Sequence, residues 1–374
     1  MFDHKGILPP LLQKSLPFLG VMLLLISWWL LAEAFAVRVP KVEGYNRELP
    51  SSITGDSLEN QRLRDSLLRA DSVRLSLATE VEKVYPILPR PWTVLERLPH
   101  LIRQDRLAGN SLRSVWLTLQ GYFWAVLLSV PLGFLIGLFP VLRGLFSKPV
   151  HALRYLPLTA LIGVFIIWFG IYDEMKVAFL AFGIIVFLLP TVISRIEEVE
   201  KVYLQTVFTL GAGKWQTFRS VYFPAVMSRV LDDISVLTAV SWTYIIVAEY
   251  INKDSGGLGA LLYVKRRLQQ VPDMFAIILL IVLIGFLQDQ TFRYLSKRLF
   301  PFRYVTQLNR GFQEVRMGIF LLLSLLALSA LFPGVAGNGT LLLIGGLAAV
   351  LFMVYGEILL RSGRKPADEK RYPA

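Results

Sequence analysis

Long stretches with almost no charge constrain this chain more than any other feature. Apolar blocks run approximately Phe18–Val37, Val115–Phe139, Leu153–Phe169, Val177–Ile193, Val230–Tyr250, Met274–Phe292, Met317–Phe332 and Leu341–Leu360. Each is near the roughly 20 residues that cross about 30 Å of hydrocarbon as a helix. Lipid offers no hydrogen-bond partners, so a spanning segment has to satisfy its own backbone. The expectation is therefore an all-α polytopic membrane protein with about eight transmembrane helices. Composition agrees, with 55% hydrophobic and 18% charged residues against roughly 45–50% and about 25% in soluble domains. A soluble enzyme and a disordered or collagen-like chain are excluded.

The net charge of +12 is a matter of position before it is a matter of partner. With a cytoplasmic N-terminus, basic residues gather in the predicted inner segments, as in Arg195, Lys201, Lys214, Arg219 and Arg229, or Arg293, Lys297, Arg298, Arg303, Arg310 and Arg316. The short outer loops hold only Lys176, Lys253, Lys265, Arg266 and Arg267. This is the positive-inside pattern. It puts both termini in the cytoplasm and argues against a nucleic-acid partner. The first block also resembles a signal peptide, since Lys5 and Lys14 precede it and Ala34-Phe35-Ala36 looks like a cleavage site. Its length and Trp28-Trp29 favour a retained anchor. The chain has no cysteine, and its three histidines (His4, His100, His151) have no metal-ligand spacing, so no metal is expected.

One soluble piece stands out on the outer side, residues 38–110. Asp56 to Val84 is polar with Leu58, Leu63, Leu67, Leu68, Leu75 and Val81 near helical spacing, which predicts an amphipathic helix. Pro86, Pro89, Pro91 and Pro99 then predict an irregular stretch. On the inner side, 195–229 is longer than a connector requires. Val199, Val202, Tyr203, Val207 and Leu210 fall at helical spacing, and Gly211-Ala212-Gly213 breaks the pattern. Trp215, Phe218 and Tyr222 form a second apolar face, and Pro224 opens the next span. Two short amphipathic helices on a glycine turn, tethered at both ends to spans, suit docking into a groove of another protein.

The loop wording also carries a resemblance. Gln205-Thr206-Val207, Gly211 after three residues, and Val221-Tyr222-Phe223-Pro224 after nine more resemble the E-A-A-x3-G-x9-I-x-L-P loop of permease subunits of ATP-binding-cassette importers. The Glu-Ala-Ala triplet itself is absent. Leu88-Pro89-Arg90-Pro91, Ser111-Leu112-Arg113, Leu156–Leu161, Trp168-Phe169-Gly170 with Lys176, Thr209–Ala212, Trp242, Ala248-Glu249, Gly257-Leu258-Gly259, Asp273, Asp289 and Pro301-Phe302 are similar to the nitrate/sulfonate/taurine/bicarbonate subfamily in order and spacing. Roughly residues 86–304 are covered. Asp233 stands where the subfamily usually has glycine, Arg195 near another usual glycine, and Ser228 where proline is frequent.

The apolar blocks and charge pattern divide the chain into an anchor at 1–37, an extracytoplasmic segment at 38–110 and two helices with a cytosolic tail at 305–374. Of these, 40–86 and 317–360 look like additions, and the resemblance implies a permease core at 111–304 between them. It implies ATPase coupling by Gln205, Thr206, Val207, Leu210, Gly211, Ala212, Trp215 and Pro224. Pathway or gate candidates are Trp168, Trp242, Glu249, Gly257 and Gly259. No cofactor is expected in this chain, because Gly211-x-Gly213-Lys214 lacks the first glycine and the Ser/Thr of a phosphate-binding loop. ATP and Mg would be bound by a separate ATPase subunit. The other implied partners are a periplasmic or lipid-anchored solute-binding protein, a second permease copy or a paralogue, and the lipid bilayer of a bacterial inner membrane. The cargo would be a small anion or polar metabolite: nitrate, a sulfonate, taurine, bicarbonate or a thiamine precursor. Two rivals stand beside this. One is an ion-coupled secondary transporter with Asp232, Asp233, Glu249 and Asp289 as a relay. The other is a membrane scaffold that has lost transport. Gly133-x3-Gly137 is a small-xxx-small motif that permits close helix packing, inside the subunit or at a dimer contact.

Overall fold

The computed structural model of the 374-residue chain describes residues 10–41, 80–303, 312–331 and 339–362. In chain order the elements are α1 (Pro10–Ala34), β1 (Val37–Lys41), β2 (Glu80–Val84), α2 (Pro91–Gln104), α3 (Leu107–Leu138), α4 (Pro140–Ala152), α5 (Ile162–Phe169), α6 (Asp173–Glu197), α7 (Lys201–Thr209), α8 (Lys214–Thr217), α9 (Phe223–Ile251), α10 (Leu258–Arg267), α11 (Val271–Leu299), α12 (Phe312–Leu331) and α13 (Gly339–Ser362). The all-α polytopic reading holds. Five described helical stretches are long and apolar enough to cross a membrane: Leu107–Leu138, Asp173–Glu197, Lys214–Ile251, Val271–Leu299 and Phe312–Leu331. Shorter apolar stretches within α1 and α13 (Phe18–Ala34, Ile344–Leu360) add to them.

The third apolar block is a correction. Instead of one straight span over Leu153–Phe169, the helix Pro140–Tyr155 and the helix Leu158–Phe169 meet at 89°. The cause is Pro157, which offers no N–H and pushes the preceding residue out of the helical region. Leu156 accordingly sits at φ −66°, ψ 127°. The two arms lie beside different ends of α6. Val150 of α4 packs with Ile136, Leu189 and Ile193, whereas Ile162 and Phe165 of α5 pack with Met175, Phe179 and Ala248.

The chain divides into two compact units, Met1–Asp105 with Lys265–Ile277, and Arg106–Val264 with Ile278–Ala374. In the first, β1 and β2 form an antiparallel ladder from Val37↔Val84 to Lys41↔Glu80. Two expectations change here. The end of the anticipated amphipathic helix, 80–84, is a strand; the rest of that helix (56–79) lies outside the described residues. The proline-rich stretch contains α2, because Pro91 occupies its first turn, where a missing N–H costs nothing. Glu33 at the end of α1 accepts from Lys83 Nζ (2.9 Å), Tyr85 Oη (3.0 Å) and Arg90 Nε (2.8 Å). Trp28 Nε1 donates to the Pro89 carbonyl at 3.0 Å.

In the second unit α6 is the most enclosed long helix. Its apolar window is 61% buried, against 17% for α11, so α6 is the pivot of the packing and most of the apolar window of α11 is left uncovered by the described residues. Small residues make that packing close. On α3, a Cβ at Gly121, Gly133 or Gly137 would come within 2.5–2.6 Å of the Leu180, Val192 or Ile196 side chain of α6. The Gly133-x3-Gly137 motif is therefore used within the chain. Gly183 of α6 in turn receives the Tyr244 ring of α9. A hairpin of α12 and α13 packs Phe312, Val315, Ile319 and Leu360 with Tyr294, Leu295 and Leu299 of α11.

Candidate coupling segment and glycine-loop network

α7 has no buried residue. It ends in a turn that requires glycine: Gly211 has φ +75°. The Gly211 N–H donates to the Phe208 carbonyl and the Ala212 N–H to the Val207 carbonyl, both at 3.0 Å. This pair of bonds is the Schellman arrangement, in which a left-handed residue just past the helix satisfies its last carbonyls. Gln205 and Thr206 lie exposed on α7, and Val207 and Ala212 are half-buried. Val202, Tyr203, Phe208, Leu210 (80% exposed) and Trp215 (71%) present an apolar surface.

The second half differs from two separate helices. α8 passes through a π-helical turn, Phe218–Tyr222, directly into α9, so Pro224 lies in the first turn of α9 along a continuous helical run. Trp215 stacks on Phe218 at 5.3 Å between ring centroids, and Phe218 meets Phe134 of α3 edge-on at 5.3 Å. A π turn carries an extra residue per turn and occurs frequently at functional sites. At the root of the segment Arg195 pairs with Asp233 and Glu198. The Arg195 guanidinium, followed by that of Arg229, holds the Glu198 carboxyl below its usual range.

At the other end of α6 and α9 a second network forms around Glu249, which is fully buried. Ser114 Oγ donates to its carboxylate (2.7 and 2.9 Å) and the Gly259 N–H donates to Oε2 at 2.9 Å. The Leu258 N–H donates to Ser114 Oγ (2.9 Å) and the Gly257 N–H to Asn110 Oδ1 (3.0 Å). Gly257 has φ +106°, and a Cβ there would fall on the Glu249 carboxylate. One on Gly259 would strike the Ile246 carbonyl oxygen. The glycines thus let the loop backbone close over the carboxylate. Lys176, also fully buried, bonds Ser255 and pairs with Asp173 at 3.4 Å, and Arg113 pairs with Asp173 at 2.5 Å.

Residues 129–301 match the family described as binding-protein-dependent transport system inner membrane component. Over these residues the chain is similar to that family. The matched stretch runs from the last third of α3 to just past α11, and includes the 195–229 segment and the glycine loop. A putative ABC transporter permease protein of Methanocaldococcus jannaschii is 28% identical over 58% of this chain and 83% of its own length. The taurine transport system permease protein TauC of Escherichia coli is 25% identical over 67% and 98%. A putative aliphatic sulfonates transport permease protein SsuC of Bacillus subtilis is 26% identical over 58% and 78%.

Within the matched stretch the anticipated coupling residues share one segment, whereas the anticipated gate residues separate. Glu249, Gly257 and Gly259 share the buried network. Trp242 is 5% exposed and its Nε1 donates to Gln288 Oε1 at 2.7 Å, while Trp168 is 68% exposed at the end of α5. Ser114 and Asn110 escaped sequence reasoning because neither has a signature by itself. His100, Asp105 and Asp273 bring ligand-type atoms within 4.8 Å of one another. Arg97 already pairs with Asp273, and Lys265 pairs with Asp105 (2.7 Å) and Asp273 (3.2 Å), so two cations balance the carboxylates where a metal would sit.

Proposed function

We propose that the chain is the membrane-spanning subunit of an ATP-binding-cassette importer for a small solute of the nitrate, sulfonate, taurine or bicarbonate class. The observation that carries the reading is the exposed, glycine-capped helix α7 with its apolar surface, lying inside the permease core and joined to α6 on one side and α9 on the other. Such a helix can seat its apolar face in a groove of another protein and pass movement to both spans. The groove would belong to a separate ATPase subunit that binds ATP and Mg. Sulfonate-type cargo is favoured by the names of two relatives, which are a taurine and an aliphatic sulfonates permease.

Two copies, or one copy and a paralogue, would form the pathway in a bacterial inner membrane, with both termini in the cytoplasm. A periplasmic or lipid-anchored binding protein would deliver the solute from outside. Closure of the ATPases would push the 195–229 segments and swing the spans between outward and inward access. Gln205, Thr206, Val207, Leu210, Gly211, Ala212, Trp215 and Pro224 would carry the contact, with the glycine-loop residues keeping the opposite ends of the spans together.

The detergent-solubilised protein should co-purify with a P-loop ATPase. Gly211→Pro should abolish ATP-dependent uptake, because proline holds φ near −65° where the turn needs +75°. Uptake that survives both removal of the ATPase and this substitution would sink the proposal.

A further inference from the structure

Arg195, in the last turn of α6, and Asp233, on α9, lie 38 positions apart in the chain, and the structure makes them partners. Arg195 Nε donates to Asp233 Oδ2 at 2.8 Å and Nη2 donates to Oδ1 at 2.7 Å, a two-pronged contact between α6 and α9. The remaining nitrogen, Nη1, donates to Glu198 Oε2 at 2.7 Å, and Arg229 Nη1 reaches the same oxygen at 3.0 Å. Glu198 is the residue that follows α6 and leads into α7. On the adjacent position of α9, Asp232 accepts from Ser296 Oγ (2.9 Å) and from Arg303 Nη1 (2.6 Å). Arg303 also donates to the Ser228 carbonyl at 2.6 Å.

Two neighbouring acids therefore hold α9 from two sides, Asp233 to α6 and Asp232 to the end of α11 and the turn after it. We infer that Arg195 and Asp233, with Glu198, form a latch that makes the root of the coupling segment move as one body with α6 and α9. This rests on the reading of 195–229 as the ATPase contact. The physical case is geometric. A planar guanidinium bound through two parallel bonds fixes orientation as well as distance, and its third side fixes Glu198, the residue that follows α6. Glycines here would leave the two helices and the segment without a side-chain link at this level. Arg195 and Asp233 are positioning residues; neither is assigned a contact with solute or ATP.

The chain has no native cysteine, so spin labels can be placed singly. Labels at Thr209→Cys, the end of α7, and Val236→Cys, an exposed site on α9, report whether segment and span move together. In nanodiscs, with and without the ATPase and ATP, the otherwise native chain, diluted with unlabelled copies, should give one narrow within-chain distance distribution. Arg195→Ala and Asp233→Ala should at least double its width while ATPase binding persists. The exchange Arg195→Asp with Asp233→Arg should narrow it again. If Arg195→Ala does not fold, Arg195→Lys keeps the charge, loses the fork and should give an intermediate width. Single variants as narrow as the unaltered background, or an exchange no narrower than the singles, would overturn the latch. Failure of the unaltered permease to bind any ATPase would instead remove the functional reading, and the widths in the permease alone would still decide whether the latch exists.

Discussion

Glu249 shows how one residue changes meaning with its surroundings. An acid near the end of an apolar helix reads as a functional group, because a charge in hydrocarbon is costly. Here both carboxylate oxygens are taken by Ser114 and the Gly259 N–H, and no face is open to solvent. Its role in this geometry is to hold the glycine loop against α3 and α9. Gly257→Ala tests that role. The new methyl group would need space held by the carboxylate, at a backbone angle that side chains rarely adopt. Overpacking typically costs about 1–3 kcal/mol and a forced positive φ about as much again. The expected outcome is a lower unfolding midpoint in detergent. An unchanged midpoint would mean that the loop is not pinned on Glu249.

At the scale of elements, α3 and α6 pack through small residues on α3 and large ones on α6. Without a hydrophobic drive between helices in lipid, close approach is what van der Waals attraction needs. Gly133→Val would set a branched side chain against Val192. The expected loss is about 1–3 kcal/mol of stability, read as a lowered detergent unfolding midpoint, with Gly144→Val as a control because nothing lies within 4 Å of a Cβ there. A control that falls equally would show that helix propensity, and not the α3–α6 contact, is being measured. The positions of these elements were largely legible: seven of the eight apolar blocks correspond to α1, α3, α6, α9, α11, α12 and α13. The remaining block, Leu153–Phe169, was not, because hydropathy records length and polarity but cannot register the bend at Pro157.

For the whole molecule, the distribution of acids bears on what drives transport. A proton relay needs carboxylates that can exchange partners in sequence. Asp232 is held by Ser296 and Arg303, Asp233 by Arg195, Asp289 by Ser235 and Arg293, and Glu249 by Ser114 and the Gly259 N–H. These are four separate arrangements. Uptake of radiolabelled taurine, as the probe, into ATP-loaded proteoliposomes of the full complex should therefore be insensitive to a protonophore. Collapse of uptake with ATP still present would favour the ion-coupled rival.

Apolar length, charge asymmetry and the wording around Gly211 are properties of the chain as written, and they alone determined the all-α membrane class, most of the long apolar helices and the glycine turn after α7. Each depends on residues close in sequence or on their transfer between water and lipid. The partners of Arg195, Asp233 and Glu249 could not be read that way. Arg195 and Glu249 meet residues 38 and 135 positions distant. Arg195 and Asp233 become one ion pair only when α6 and α9 lie side by side, and Glu249 is enclosed only when the glycine loop folds over it. Tertiary structure decided those cases because a charge takes its role from what surrounds it.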